Sequence, residues 1–221
     1  SSALVVIAAH AGGWLLLDTP DYASRPFTAG VLQPNFPQEM KWDWEYSGEM
    51  VRKTARMSAI LAKHESVDAF FWPEALLMRH FEAPEMMEPV VALATETGAA
   101  VFTGAVRDDA PAGKSYNSSV LVRPDGSLAG HYDKVRLAPF GEYMPFTSIF
   151  PFLRQIVPMD VDAGGEHRVF NLDDRRLGPM ICFEVLFRPV SETLRRLGAD
   201  MLAVVTNLAW FGASNAIPQE L

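Results

Sequence analysis

The 221-residue chain has a single cysteine, Cys182, so no disulfide can form within it. Basic residues are also few: 19 Lys and Arg against 27 Asp and Glu give a net charge of −8, with no basic cluster to offset it. Proteins that bind nucleic acids concentrate positive charge against the phosphates, so we expect no nucleic-acid partner. The same acidity gives no attraction to anionic lipid head groups, and any contact with a membrane would have to be apolar.

Metal and nucleotide motifs are absent as well. The five histidines are scattered, with no pair at the spacing of metal ligands, and there is no cysteine cluster. No Gly-containing loop has the GxGxxG or GK[ST] pattern that holds a nucleotide phosphate. We therefore expect neither a bound metal nor another cofactor.

Residues 3–17 (ALVVIAAHAGGWLLL) form an apolar run without a charge. The run is shorter than the roughly 20 residues that a helix needs to cross a bilayer, and no Lys or Arg precedes it as in a secretory signal. Two interpretations remain open: the end of a membrane helix, or a buried helix or strand pair of a soluble protein. Residues 18–28 are rich in polar and turn-forming residues and predict a linker.

The rest of the chain has the composition of a globular domain, since 49% of all residues are hydrophobic and 21% are charged. Hydrophobic spacing predicts helices at residues 43–64, 84–97 and 189–197. The expected inward face of the first helix consists of Met50, Ala55, Met57, Ile60 and Leu61.

Short apolar segments predict strands between these helices. The predicted strands cover residues 30–33, 67–72, 99–106, 168–172, 177–182 and 199–206, and a hairpin over residues 117–132 turns at Pro-Asp-Gly. Strands that alternate with helices in this way predict a layered α/β domain with helices outside buried sheets.

Three polar residues, Glu74, Lys134 and Cys182, stand where a predicted strand runs into a loop. Catalytic side chains favour such positions because a rigid strand aims them and loops enclose them. Each residue also has an ordinary interpretation: a carboxylate at a helix N-terminus, a solvated charge, or a buried cysteine that fills space. Since the three are tens of residues apart, only the fold could bring them together.

The residues around these three positions favour the catalytic interpretation. They are FFWPEALL at 70–77, HYDKVRLAPFGEYMPF at 131–146 and GPMICFEVLF at 178–187. In these stretches the chain resembles the nitrilase superfamily of carbon–nitrogen hydrolases, whose triad is Glu–Lys–Cys in this order. The resemblance implies a nitrilase-like α-β-β-α layered sandwich, with Glu74, Lys134 and Cys182 as its catalytic residues.

Two further stretches, VLQPNFPQEMKW at 31–42 and TNLAWFG at 206–212, together with FGEYMPF at 140–146 from the second stretch above, are similar to the bacterial apolipoprotein N-acyltransferases. This resemblance implies the bacterial inner membrane, with the end of a membrane helix plus linker at residues 1–28 and a periplasmic catalytic domain at residues 29–221. The family continues past the position of Leu221, so we expect a domain truncated at its C-terminus. The chain departs from the family pattern at two positions: Leu208 stands where the family usually has Asp, and Phe183 stands where Tyr is commoner.

The resemblance also implies roles. Glu74 would be the general base for the thiol of Cys182. Lys134 and the backbone N–H of Phe183 would stabilise the oxyanion. Glu142 would hold Lys134 or the reacting amine, unless it is a loop carboxylate in water.

Two supporting residues keep two interpretations each. Glu184 would either support the site or cap the following helix. Asn117 would either tie the hairpin to the active-site loops or stabilise a turn. The sequence alone does not decide between them.

The implied reaction is a two-step acyl transfer. Cys182 attacks the ester of a phospholipid acyl donor to give a thioester, and the α-amino group of a lipid-modified apolipoprotein acceptor then takes the acyl chain. A soluble nitrilase-type amidase would run the first step on a small amide and let water complete the second. A non-catalytic remnant of the fold is the third interpretation.

Apolar loops flank the expected site. Residues 143–159 carry many large apolar side chains and one charge, and Leu76, Leu77, Met78 and Phe81 form a second apolar stretch. Such loops suit a lid that contacts lipid or grips acyl chains, although they could also pack as core or as an oligomer interface. The residues predicted to contact lipid are Tyr143, Met144, Phe146, Phe150 and Phe152.

Overall fold

The computed structural model describes residues 5–7, 12–13, 26–37, 40, 44–78, 81–145 and 160–208. The strands are β1 (Ala29–Val31), β2 (Ala69–Phe71), β3 (Ala100–Asp109), β4 (Lys114–Val122), β5 (Leu128–Asp133), β6 (Phe170–Leu172), β7 (Arg175–Ile181) and β8 (Met201–Val205). The α-helices are α1 (Trp44–Ala62), α2 (Pro84–Thr97) and α3 (Arg188–Arg196), and 3₁₀ helices cover Ala110–Ala112 and Cys182–Leu186.

These strands form two sheets. The first is mixed, in the order β1-β2-β3-β4-β5, with parallel pairing from β1 to β3 and antiparallel pairing from β3 to β5. The second has the order β6-β7-β8, antiparallel and then parallel. The predicted hairpin is confirmed as β4–β5: Gly126 has a φ of 82°, and the side chain of Asp125 accepts a hydrogen bond from the backbone N–H of Ser127.

The two sheets pack face to face, and helices cover their outer faces. Phe102 and Leu121 of the first sheet share one apolar core with Leu177 and Ile181 of the second. Helices α1 and α2 share a second core with the opposite face of the first sheet, and α3 packs on the second sheet through Leu194. Burial of each large apolar side chain contributes about 1.5–3 kcal/mol. This order of layers confirms the predicted α-β-β-α sandwich.

The inward face of α1 differs from the prediction. Ile60 is 58% exposed, whereas the polar side chains of Thr54 and Ser58 are fully buried. The hydroxyl of Thr54 donates to the carbonyl of Met50, and that of Ser58 donates to the carbonyl of Thr54 and accepts from Nε1 of Trp72. Because these hydroxyls are hydrogen-bonded, their burial costs little. Hydrophobic spacing alone therefore misplaces the face.

The second apolar stretch is core rather than lid. Leu76, Leu77 and Phe81 are at most 2% exposed and pack in the core under α1 and α2. The backbone N–H groups of Leu76 and Leu77 both bond to the carbonyl of Gly104, which holds the stretch against β3. Of the interpretations left open for this stretch, the structure therefore has core packing, with β3 holding it in the interior.

Most of residues 1–28 lies outside the described ranges, so the predicted membrane helix and linker stay predictions. Among the described residues, no helix is both long enough and apolar enough to cross a membrane.

Candidate active site

The structure brings together the three residues that stand at strand ends. Glu74 follows β2, Lys134 follows β5, and Cys182 begins the 3₁₀ helix after β7. The ammonium of Lys134 lies 4.0 Å from Oε1 of Glu74. Cys182 is close enough to Lys134 for a thiolate to interact with this ammonium. Glu74 and Lys134 thus come from the first sheet and Cys182 from the second.

Lys134 is a buried cation between two carboxylates. It is 1% exposed, and its Nζ forms an ion pair with Oε2 of Glu142 at 2.8 Å, shorter than the distance to Glu74. Burial opposes the charged form, but the charges of Glu74, Glu142 and Cys182 outweigh it and raise the pKa of Lys134. The side chain therefore stays an ammonium, which can stabilise a neighbouring thiolate or oxyanion.

Glu74 is a buried carboxylate in a fixed orientation. Its Oε1 accepts a hydrogen bond from Nδ2 of Asn117 at 2.8 Å, and its Oε2 accepts one from the backbone N–H of Asn207 at 2.8 Å. Burial raises its pKa, more than Lys134 and the hydrogen bonds lower it. A carboxylate with a raised pKa is suited to accept and return a proton near neutral pH.

Asn117 lies between the two carboxylates. Its Nδ2 donates to Oε1 of Glu74 and, at 2.6 Å, to Oε1 of Glu142. The other oxygen of Glu142 accepts from the backbone N–H of Ala138. Asn117 is fully buried and Glu142 is 5% exposed. Of the alternatives above, the structure therefore has Asn117 tying β4 to the site loops, and Glu142 holding Lys134 rather than lying in water.

The backbone is strained at two of these positions. Ala75, directly after Glu74, and Cys182 both have a φ of 50°, a left-handed conformation that is costly for residues other than Gly and is concentrated at functional sites. Because of this turn, β7 ends at Ile181, one residue earlier than predicted. Gly104 of β3 packs directly against the turn at Glu74, since a Cβ there would lie 2.5 Å from the Cα of Glu74.

Glu184 links the loop that begins at Lys134 (residues 134–136, the lysine loop) to the turn at residues 181–182 (the cysteine turn). Its Oε1 accepts hydrogen bonds from the backbone N–H groups of Val135 and Arg136, at 2.9 and 3.0 Å. Its Oε2 accepts one from Ile181 at 2.9 Å. Helix α3 begins without a side-chain cap. Through the bond from Ile181, Glu184 caps the start of the 3₁₀ helix Cys182–Leu186, and Glu184 does not cap α3. Its bonds to Val135 and Arg136 fit the first of its two alternatives, and its supporting role stays a prediction.

The site contains groups that the sequence did not single out. One is the backbone N–H of Asn207, and another is the hydroxyl of Tyr132, which donates to Glu184 at 2.8 Å. A third is the pair of Arg107 on β3 and Asp133 on β5, which are joined by two hydrogen bonds of 3.0 and 2.7 Å; Asp133 directly precedes Lys134 in the chain. A backbone N–H donor cannot be found from residue types. The pairing of β4 with both β3 and β5, however, could have indicated the ion pair of Arg107 and Asp133.

The residues predicted to contact lipid are only partly described. Tyr143 is 37% exposed and Met144 is half-buried. Both line a cleft of about 660 Å³ whose other residues are Asp108, Asp109, Ala110, Gly113, Lys114, Ser115, Asp160, Val161 and Asp162. Phe146, Phe150 and Phe152 lie outside the described residues. Lipid contact by all five stays a prediction.

Two further expectations concern Phe183 and metals. The ring of Phe183 packs edge-on against that of Phe187, with centroids 5.2 Å apart, and the role of its backbone N–H stays a prediction. Within the described ranges, no three His, Cys, Asp or Glu side chains are grouped so that they could hold a metal ion.

Comparison with known proteins places this chain in a family. Residues 28–221 match the family model of the carbon–nitrogen hydrolases. The chain is 31% identical, over 99% of its length, to an apolipoprotein N-acyltransferase of Geobacter metallireducens, and 30% identical, over 95%, to one of Brucella suis. It spans 43% and 42% of those two proteins, less than half of each.

A solved structure supports the fold. A carbon–nitrogen hydrolase from Helicobacter pylori superposes with a TM-score of 0.60 at 20% identity, over 81% of this chain and 59% of that one. At this identity the likeness shows the α-β-β-α fold alone. The family match over residues 28–221 carries the assignment, and the chain belongs to the carbon–nitrogen hydrolase family.

Proposed function

We propose that this chain carries a cysteine acyltransferase activity, which moves an acyl chain from a phospholipid to the N-terminal amine of a lipid-modified apolipoprotein. The observation that carries the proposal is the buried group in which Lys134 lies between Glu74 and Glu142 and next to Cys182. The names of the relatives in Geobacter and Brucella support the substrates. The location, on the periplasmic face of the bacterial inner membrane, belongs to the same proposal.

In the first step Glu74 accepts the thiol proton of Cys182, and the thiolate attacks the ester carbonyl carbon of the phospholipid. The new C–S bond places negative charge on the carbonyl oxygen, which the ammonium of Lys134 and the backbone N–H of Phe183 stabilise. The C–O bond to the glycerol then breaks, and the leaving oxygen takes the proton back from Glu74. The products are a thioester on Cys182 and a lysophospholipid.

In the second step the uncharged α-amine of the apolipoprotein attacks the thioester carbon. Glu74 takes one proton of the amine, the C–S bond breaks, and the sulfur of Cys182 leaves as a thiolate that recovers this proton. An amide is formed and the enzyme returns to its starting state. Glu142 keeps Lys134 in place through both steps, because its carboxylate pairs with the ammonium at 2.8 Å.

The test is intact-mass spectrometry after incubation with phospholipid vesicles. We expect an added acyl mass that hydroxylamine removes and that Cys182→Ala abolishes. The readout is unambiguous because the chain has one cysteine. Ammonia release from small amides, dependent on Cys182 and without an acyl adduct, would contradict the transferase and identify an amidase. No reaction with either substrate would contradict catalysis by this chain.

Replacing Asn117 with leucine should move the fall in the rate of thioester formation at low pH, the acid limb of the pH profile, to higher pH. The hydrogen bond from Asn117 lowers the pKa of Glu74 against the effect of burial. Without that bond the pKa of Glu74 rises further, so the base becomes protonated at a higher pH. The measurement is the acylation rate against pH, with the exposed Asn171→Leu on β6 as control. An acid limb that does not move in Asn117→Leu would show that Asn117 does not act on the base.

A further inference from the structure

We infer that the hydroxyl of Tyr132 is a positioning group for the reaction: it fixes the carboxylate of Glu184, which sets the separation between Lys134 and Cys182. The inference rests on the proposed function, because it assigns a role within the same site. Tyr132 lies on β5, two residues before Lys134, and is 1% exposed.

The carboxylate of Glu184 is fully buried and accepts four hydrogen bonds. The donors are the backbone N–H groups of Val135, Arg136 and Ile181 and the hydroxyl of Tyr132, at distances of 2.8–3.0 Å. Two of the backbone donors directly follow Lys134, and the third directly precedes Cys182. A rotation or shift of this carboxylate therefore moves the lysine loop relative to the cysteine turn.

The Tyr132 hydroxyl differs from the other three donors in how it is held. The backbone donors belong to the loop and turn that the carboxylate positions, so they move with it. The ring of Tyr132 packs in the apolar core between the two sheets, which fixes the hydroxyl independently. Burial, together with the charge of Glu184, raises the pKa of Tyr132. The hydroxyl therefore keeps the proton that it donates.

His167 extends the hydrogen-bonded chain outward. Its Nδ1 lies 3.2 Å from the hydroxyl oxygen of Tyr132, and its ring stacks on the tyrosine ring with centroids 6.2 Å apart. Since the single proton of the hydroxyl goes to Glu184, the hydroxyl accepts from His167, which requires the tautomer with a proton on Nδ1. The hydrogen bonds thus run from half-buried His167 through the hydroxyl of Tyr132 to the carboxylate of Glu184.

Replacing Tyr132 with phenylalanine keeps the ring and removes only the hydroxyl. Oε1 of Glu184 then loses one of its three donors, and Lys134 and Cys182 are no longer held at one separation. Because the attraction between ammonium and thiolate falls with distance, a smaller fraction of Cys182 is thiolate at neutral pH. The transfer reaction loses both the nucleophile and the alignment of the oxyanion site, so kcat falls while KM for the phospholipid changes little.

The experiment measures the rate at which iodoacetamide alkylates Cys182, as a function of pH, in the full chain. In Tyr132→Phe we expect alkylation at neutral pH to be roughly fivefold slower and the profile to shift to higher pH. His167→Phe should shift the profile in the same direction by less. Tyr46→Phe, at an exposed tyrosine of α1, should leave it unchanged. Thermal unfolding monitors the fold of each variant.

An unshifted alkylation profile in both site variants would overturn the inference, even if their melting temperatures fall, because a purely structural hydroxyl lowers stability without changing the thiol. Alkylation needs neither phospholipid nor apolipoprotein, so the two proposals fail separately. A shifted profile with no acyl transfer by the wild type would support the positioning role and overturn the proposed function. Acyl transfer by the wild type with unshifted variants would overturn the inference alone.

Discussion

Replacing Lys134 with methionine should abolish thioester formation and destabilise the protein by about 3–5 kcal/mol at neutral pH. The substitution leaves Glu74 and Glu142, each 5% exposed, without the cation that lies 4.0 and 2.8 Å away. Removal of one partner from a buried ion pair is costly because the remaining charge has neither water nor a counter-charge. Urea unfolding gives the change in stability, and intact mass gives the loss of the thioester.

The stability deficit of Lys134→Met should shrink as the pH falls. Burial already raises the pKa of Glu74, and loss of the lysine charge raises it further. A carboxyl whose pKa is higher in the folded than in the unfolded state favours folding once it is protonated and opposes folding when it is ionised. The deficit is therefore largest above the folded-state pKa and declines as the pH drops through it.

Two variants control this prediction. The exposed Lys63→Met should leave both stability and acylation unchanged. The double variant Lys134→Met, Glu142→Gln should recover part of the stability, because one buried charge is removed, but none of the acylation. Thioester formation by Lys134→Met, or a deficit that is constant with pH, would contradict the role given to the lysine.

Replacing Glu74 with glutamine should slow thioester formation by about 10²–10⁴-fold, the usual contribution of a general base. An amide cannot accept the thiol proton. The carbonyl oxygen of the glutamine still accepts the hydrogen bond from Asn117. Its NH2 group, however, faces the backbone N–H of Asn207, which is also a donor, so this second hydrogen bond is lost. The acylation rate, followed by mass against time, should also lose its acid limb.

Glu142→Gln is the matched control for this variant. The two glutamates are equally buried and both face Lys134, so the same substitution removes one charge beside the lysine in each case. We expect Glu142→Gln to slow acylation but to retain the acid limb, because the base is still present. An acid limb that persists in Glu74→Gln and disappears in Glu142→Gln would reverse the assignment of the base.

Local signals in the sequence predicted parts of this fold closely. Helix α2 runs from Pro84 to Thr97 as expected, because Pro fits the first turn and Gly98, at a φ of 65°, ends the helix with its N–H on Ala94. The positions of Glu74, Lys134 and Cys182 at the ends of strands could be predicted in the same way, because an apolar run that stops at a polar residue is a local sequence pattern.

Features that depend on contacts between distant segments were not predictable in this way. The burial of Leu76 follows from its bond to Gly104 on β3, and the burial of Ser58 on α1, where Ile60 is exposed instead, is accompanied by a hydrogen bond from Trp72 after β2. The alternatives for Glu184 and Asn117 stayed open for the same reason. Their partners lie far along the chain, such as Tyr132 for Glu184 and Glu74 for Asn117.

The division of the site between two sheets has a consequence for synthesis. Glu74, Asn117 and Lys134 belong to strands that leave the ribosome before Cys182, and the backbone donor at Asn207 follows last. Domains generally fold as units, and the two sheets share one apolar core, so the thiol meets Glu74 and Lys134 only when both sheets have packed together. Under the proposed mechanism, the packing of the sheets is therefore also the step that brings the nucleophile next to its base.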